Sequence, residues 1–342
     1  MSFPSRKLRI WSSTLIFNSK ESATDLKKNA IIASENPLSD DAIVKSLAEN
    51  QAEALTEITA IARKVAWGAA DILRAYYRGT ANDGNLEISN KKDGPVTAAD
   101  LAANHYILEH LQAALTREDF GYLSEETYKA QGSKPVPKDW VWIIDPLDGT
   151  RDFIEKTGEY AIHIALTYQR KPMVAIVAIP EAEKLYFAAK GQGTFVETRD
   201  GAVRPIRVSG RNKIADLTSV TSRSHRNQRL NKMLARIPFK EQKMMGSVGG
   251  KISTILEGKC DVYISLSGKS APKDWDFAAP DLVLTEAGGK FTSFEGEALT
   301  YNNEDVSQWG GLMASNGNCH EELYATASAI LAEIDRGNGE QE

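Results

Sequence analysis

Trp140-Val141-Trp142-Ile143-Ile144-Asp145-Pro146-Leu147-Asp148-Gly149-Thr150-Arg151-Asp152-Phe153 reads as a buried strand running straight into a turn. Trp140 to Ile144 is an unbroken apolar run rich in β-branched and aromatic residues. Pro146 has no N–H to donate and is expected to end the ladder. Asp145 and Asp148 flank the rigid Pro146-Leu147 pair. Gly149 and Thr150 follow, where backbone N–H groups can point at an anion. Carboxylates at a strand end beside free amides suit a hard divalent cation and a phosphate held side by side.

The remaining composition narrows the chemistry. The chain has 342 residues, 42% of them hydrophobic and 25% charged, which fits an ordinary globular protein of two medium domains or one large one. A net charge of −5 gives no basic footprint for a nucleic-acid polymer. Cys260 and Cys319 are the two cysteines, each isolated. They fit a reducing compartment and leave no zinc-thiolate cluster. His105, His110, His163, His225 and His320 lack metal-ligand spacing, so a bound metal would take oxygen ligands. No apolar run approaches the roughly 20 residues of a membrane span. Residues 1–20 carry Arg6, Lys7, Arg9 and Lys20 without an acid and resemble an organelle transit peptide. A plain polar extension or an upstream start codon gives the same composition, and a cytoplasmic location is the expectation.

Residues 1–50 are read as an unstructured or loosely helical extension. A unit over 51–205 is expected to be α+β, and one over 206–335 to be α/β. In the first, Leu55, Ile58, Ile61, Val65, Ala69, Ile72, Leu73 and Tyr76 recur at three- and four-residue steps and predict a long helix stopped by Gly79. Residues 80–96 are turn-rich. Thr97 caps a second helix with Leu101, Leu108, Leu111 and Leu115 on one face. Strands are expected at Gly121–Leu123, Ala161–Tyr168, Met173–Ile179, Lys184–Ala188 and Thr194–Val196, forming an antiparallel sheet against the two helices. In the second unit, a strand at Leu217–Thr221 leads to helices at Asn227–Ala235 and Lys251–Glu257. A strand at Asp261–Ser265 precedes a helix opened by Lys273-Asp274-Trp275-Asp276 and stopped by Gly288-Gly289.

Taken singly, the acids have plain explanations. Asp100 complements a helix dipole, Glu125-Glu126 makes a solvated turn, and Trp275-Asp276 starts a packed helix. Taken together they form an ordered series: Asp100, Glu125, Asp145 and Asp148 with Gly149-Thr150, then Asp276 in Trp275-Asp276-Phe277-Ala278-Ala279. From about residue 53 to about 320 this series resembles the inositol-monophosphatase-like family of Mg²⁺-dependent, lithium-sensitive phosphatases. The resemblance implies an α/β protein with an αβαβα layered, sugar-phosphatase-like fold of mixed and antiparallel sheets. It also implies hydrolysis of phosphate monoesters with two or three Mg²⁺ ions, inhibited by Li⁺ and by Ca²⁺.

Carried onto this chain, the resemblance gives the metals to Glu125, Asp145, the carbonyl of Leu147, Asp148 and Asp276. It makes Asp100, Thr150 and Glu125 catalytic, the first two as the pair that orients and deprotonates water. Leu123-Ser124-Glu125-Glu126, Asp148 to Ile154, and Thr157-Gly158-Glu159-Tyr160 before His163-Ile164-Ala165-Leu166 lean toward the 3′(2′),5′-bisphosphate nucleotidase branch. That branch removes the 3′-phosphate of adenosine 3′,5′-bisphosphate (PAP), with its sulfate-bearing relative PAPS as a further substrate. Gly149 and Thr150 would then meet phosphate. Arg223, Ser224, His225, Ser247 and Lys251 would meet the nucleotide and its second phosphate. A polar surface loop explains Arg223 and His225 equally well, and an exposed helix position explains Lys251. Inositol, histidinol or fructose 1,6-bisphosphate phosphatases are the alternatives. A non-catalytic sensor would require a lost ligand, and none is lost. The expected partner is a small phosphorylated molecule, with no polymer or membrane, for a monomer or homodimer.

Three positions depart from the family pattern. Pro280 stands where glycine is usual and is expected at the beginning of its helix, where proline is tolerated. Ser247 and Lys251 are one residue further apart than in the nucleotidases. Phe277 replaces a smaller residue and is expected to trim the pocket.

Overall fold

The computed structural model describes residues 51–81, 88–91, 94–115, 119–128, 134–224 and 226–339. The extension expected over 1–50 lies outside them. Helix α1 (Gln51–Arg78) buries Leu55, Ile58, Ala62, Val65, Ala69 and Leu73 on one stripe, and Gly79 at φ +70° stops it. The turn-rich segment contains an unexpected antiparallel hairpin, β1 (Ile88–Lys91) with β2 (Gly94–Thr97). Thr97 caps α2 (Ala98–Ala114). The buried stripe of α2 is Ala99, Ala103, Ile107 and Leu111, whereas Leu101 is 52% exposed. Of the expected leucine face, Leu111 and Leu115 are buried and Leu108 packs against the same core, while Leu101 turns out and the small alanines Ala99 and Ala103 let α2 lie against α1. At the closest point Tyr106 fills the space a Cβ on Gly68 would need, its hydroxyl 2.1 Å from that position.

A seven-stranded sheet follows. Its strands are β3 (Phe120–Ser124), β4 (Trp140–Asp148), β5 (Ala161–Tyr168), β6 (Lys171–Ile179), β7 (Lys184–Ala189), β8 (Gly193–Thr198) and β9 (Val203–Ile206), in that spatial order. Every pairing is antiparallel except β3–β4, so the sheet is mixed rather than wholly antiparallel. Short helices α3 (Glu125–Tyr128) and α4 (Thr150–Ile154) begin at the ends of β3 and β4. Along β4, Trp142 and Ile144 pack toward α1 and α2, and Val141 and Ile143 toward the opposite face. Burial on both faces explains the unbroken apolar run. Pro146 does not end the ladder. β4 continues to Asp148 through an irregularity between Asp145 and Asp148, where a missing N–H is tolerated.

The second sheet contains β10 (Thr218–Ser222), β11 (Glu241–Met245), β12 (Val262–Leu266), β13 (Lys290–Ser293) and β14 (Gly311–Ser315), ordered β11-β10-β12-β14-β13. Between the sheets lie α6 (Val248–Leu256) and α7 (Asp274–Glu286), and outside lie α5 (Gln228–Leu234) and α8 (His320–Gly339). The layers are therefore α1/α2, seven-stranded sheet, α6/α7, five-stranded sheet, α5/α8, as the αβαβα expectation requires. Helix α6 starts a turn earlier than expected because Ser247 caps it. Residues Phe277 to Leu284 of α7 are all buried, as a helix covered on both sides must be. Phe277 is fully buried and packs edge-on to Phe291 in the core. Pro280 is the seventh residue of α7, inside the helix rather than at its beginning, and leaves the Asp276 carbonyl without its usual i+4 donor.

Candidate active site

The parallel pairing of β3 and β4 sets Ser124 opposite Ile144, so Glu125, the first residue beyond β3, and Asp145, still within β4, follow at the same level. Their carboxyls are close enough to act on each other electrostatically. Asp145 Oδ1 accepts the Leu147 N–H at 3.0 Å, which fixes the turn around Pro146. Asp148 closes β4, and its Oδ2 accepts the Gly249 N–H at 2.9 Å from the start of α6. Asp276, third in α7, accepts the Lys273 N–H at 2.6 Å. One oxygen each from Asp145, Asp148 and Asp276 falls within 4.8 Å of the others.

Burial pushes the Glu125 and Asp145 carboxyls well up, and repulsion among the neighbouring acids adds to it. Burial and then Asp148 push Asp276 up to about 6. Asp148 is the exception: burial would raise it, but His163, Lys251 and the Gly249 N–H together hold it below the usual range. Carboxylates so close and so deeply buried are the donor set a hard divalent cation takes, and such a cation relieves their repulsion. The cluster thus fits the divalent metal its chemistry implies.

Thr150 opens α4 beside these acids. Its Oγ1 is 3.1 Å from Asp100 Oδ1 and 3.2 Å from the Leu147 carbonyl, two acceptors for one hydroxyl hydrogen. The other Asp100 oxygen accepts the Thr97 N–H at 2.8 Å. Asp100 therefore caps its helix with one oxygen and meets Thr150 with the other. Burial pushes it up to about 6, against the lowering effect of the Thr97 bonds. Gly149 takes φ +92°, and a Cβ there would stand 3.0 Å from the Glu159 carbonyl and 3.1 Å from Ser247 Cβ.

The remaining expected residues are more tightly engaged than their sequence suggests. Ser247 Oγ accepts the Gly250 N–H at 2.7 Å, and its own N–H reaches the Glu159 carbonyl at 3.3 Å. Lys251 is buried rather than exposed, and its Nζ donates to the carbonyls of Met245, Gly246 and Ser247. Burial brings it down to about 8 against the pull of Asp148 and Asp152. Arg223, just past β10, donates to Asp152 Oδ1 at 2.7 Å and to Glu159 Oε1 at 2.8 Å. Glu159 also accepts the Gly246 N–H at 2.7 Å. Ser224 beside it is partly buried, and His225 lies outside the described residues.

Asp100, Glu125, Asp145, Leu147, Asp148, Thr150 and Asp276 are thus brought together. Ser247 adjoins Gly149, Lys251 adjoins Asp148 electrostatically, and Arg223 joins through Asp152 and Glu159. Sequence reasoning passed over Glu159 and His163 as individual residues. His163 had one visible signal, a lone imidazole between Ile162 and Ile164 in an apolar strand. A cavity of about 1150 Å³ lies at the other end of β4, beside Trp140 and Tyr168. Its lining contains none of the clustered acids, so it is not the candidate site.

A sequence model described as the inositol monophosphatase family matches residues 54–332. The 3′(2′),5′-bisphosphate nucleotidase CysQ of Salmonella typhimurium is 33% identical over 241 residues, covering 70% of this chain and 91% of that protein. The crystal structure of CysQ from Bacteroides thetaiotaomicron, a bacterial member of the inositol monophosphatase family, superposes with a TM-score of 0.60 at 26% identity. It covers 75% of this chain and 97% of that one. The extragenic suppressor protein suhB of Bartonella henselae gives a TM-score of 0.64 at 24% identity, over 79% and 98% of the two chains, and supports the fold.

Proposed function

The chain belongs to the inositol monophosphatase family, and from that membership we propose that it is a Mg²⁺-dependent phosphatase removing the 3′-phosphate of PAP to give AMP. Family members are phosphomonoesterases acting on small phosphorylated substrates, and the family implies a divalent metal. The observation that carries the reading is the Asp145–Asp148–Asp276 cluster with the Thr150–Asp100 pair at its edge. Likeness to CysQ nucleotidases supports the choice of substrate.

In this reading Glu125, Asp145, the Leu147 carbonyl, Asp148 and Asp276 hold the Mg²⁺. Bound there, it neutralises charge on the transferring phosphoryl group and acidifies water. Thr150 Oγ1 takes a proton from the attacking water while passing its own to Asp100 Oδ1. The water oxygen bonds to phosphorus as the ester P–O bond breaks, the leaving ribose oxygen takes a proton from solvent water, and Asp100 returns its proton to solvent. An Asp100 poised at about 6 is matched to a base working near neutral pH. Phosphate monoester hydrolysis is among the slowest uncatalysed reactions, so this charge stabilisation is the larger part of the task. Gly149 and Thr150 at the start of α4 offer amides to phosphate, with Ser247 beside them. Arg223 at the rim is offered to the 5′-phosphate, with Ser224 beside it, and the buried Lys251 supports that side through the Met245, Gly246 and Ser247 carbonyls.

One observation favours a second reading, a monophosphate substrate such as an inositol phosphate. The Arg223 guanidinium already has two carboxylate partners, Asp152 and Glu159. Steady-state kinetics on PAP, inositol 1-phosphate and fructose 1,6-bisphosphate separate the two. A tenfold preference for PAP is expected, and a tenfold preference for the inositol ester would overturn the proposal. Inhibition by LiCl, with KCl at equal ionic strength as control, and by Ca²⁺ is expected in either case.

A further inference from the structure

His163 has no exposure at all, yet it sits on β5 in register with Asp145 and beside the acid cluster. Its Nδ1 lies 3.2 Å from the Trp275 carbonyl. A carbonyl only accepts, so Nδ1 carries the hydrogen there. Its Nε2 has no hydrogen-bond partner of good geometry, and faces Asp148 Oδ2 at 3.3 Å. Trp275 immediately precedes Asp276. One imidazole therefore spans two aspartates that stand 128 positions apart in the sequence (276 less 148).

The Gly249 N–H and the imidazole both fall on Asp148 Oδ2. That leaves Oδ1 as the oxygen available to a cation. The ring has room only because residue 249 is glycine, since a Cβ there would be 2.5 Å from His163 Nε2. Helix α6 is thus brought against the ring on the side where Asp148 is held. An ordinary core histidine would complete its bonding with backbone or hydroxyl groups. Here one nitrogen is turned to a carboxylate of the cluster and the other to the backbone that delivers the next carboxylate.

We propose that His163 is a positioning residue, bridging Asp148 and the first turn of α7 so that the Asp148 and Asp276 carboxylates are held ready for one metal centre. The inference rests on the reading that these acids bind the metal. Outer partners of metal ligands are typically worth 10- to 100-fold in metal affinity.

The test is Mn²⁺ binding to the full chain without substrate, followed by electron paramagnetic resonance, with near-ultraviolet circular dichroism as the check on folding. His163→Phe keeps a ring and removes both ring nitrogens, and is expected to weaken Mn²⁺ binding 10- to 100-fold. His163→Asn keeps an amide donor for Asp148 and is expected to stay within about fivefold of wild type. If His163→Phe does not fold, His163→Ala, which empties the position rather than crowding it, takes its place with the same expectation. A folded variant without donors that binds Mn²⁺ as wild type does, whatever its thermal midpoint, overturns the inference. Wild-type Mn²⁺ binding that survives Asp145→Asn unchanged would remove the metal-site reading, and this inference with it.

Discussion

Arg223 Nη1 stands 2.7 Å from Asp152 Oδ1, a contact that spans 71 residues and fastens the end of β10 to the helix after Gly149. A guanidinium so held is fixed in place before any ligand arrives, and part of it remains open, its side chain being 39% exposed. Arg223→Ala is expected to raise KM for PAP about tenfold, the scale of one charge-assisted hydrogen bond, while KM for an inositol monophosphate stays within twofold. Equal increases for both substrates would make Arg223 a strut without a role in selection.

Thr150 and Asp100 act as one unit in the proposed proton path. Thr150→Ala and Asp100→Asn are each expected to lower kcat by roughly 10²- to 10⁴-fold with little change in KM. The double variant should be little worse than either single one. Multiplying effects, measured in single-turnover assays, would mean that the two residues work separately.

Metal binding should depend on pH in a defined direction. Glu125 and Asp145 are pushed well up and Asp276 up to about 6, so below these values the folded protein holds protons that a cation must displace. Mg²⁺ is therefore expected to raise the thermal midpoint more at pH 8 than at pH 5.5. Asp145→Asn should abolish most of the shift. An identical shift at both pH values would place the cation elsewhere.

Asp281 lies outside the acid cluster and gives a separate pH effect. It is buried in α7, accepts the Tyr301 hydroxyl at 2.9 Å, and is pushed by burial up to about 7 from 3.8. Between those values the folded chain keeps a proton that the unfolded chain has released. The stabilisation is full below about pH 4 and is lost as pH rises through 7, at most about 4 kcal/mol. In urea titrations with a chelator, wild type should lose stability between pH 5 and pH 8, and Asp281→Asn should lose distinctly less.

Much of the layer order and the acid series were legible in the sequence, because strand ends, caps and carboxylate motifs are local. What was not legible depends on distant packing. On α2, Leu108, Leu111 and Leu115 lie on the core side as the pattern indicates, but Leu101 is exposed because close approach to α1 selects Ala99 and Ala103 there. Pro146 was read as a terminator because its missing N–H is visible and the irregularity that accommodates it is not. The opening of α7 at Lys273-Asp274-Trp275-Asp276 was legible, and what no local signal records is that the helix runs on through Pro280. The engagement of Arg223 by Asp152 and Glu159 and the burial of Lys251 belong to the same class. No periodicity records which charges meet across 64 to 71 residues.

The single parallel pairing in the larger sheet has a further consequence. Because β3 and β4 run in the same direction with Ser124 across from Ile144, the ladder measures out the separation of Glu125 and Asp145 as a ruler would. Length changes in the loop between the strands leave that measure untouched. A slip of one residue within β4 would turn Asp145 to the other face and carry Trp142 out of its layer. The spacing of the carboxylates is thus guarded against a one-residue slip by the hydrophobic core itself, which would have to give up Trp142 on one side and Val141 on the other.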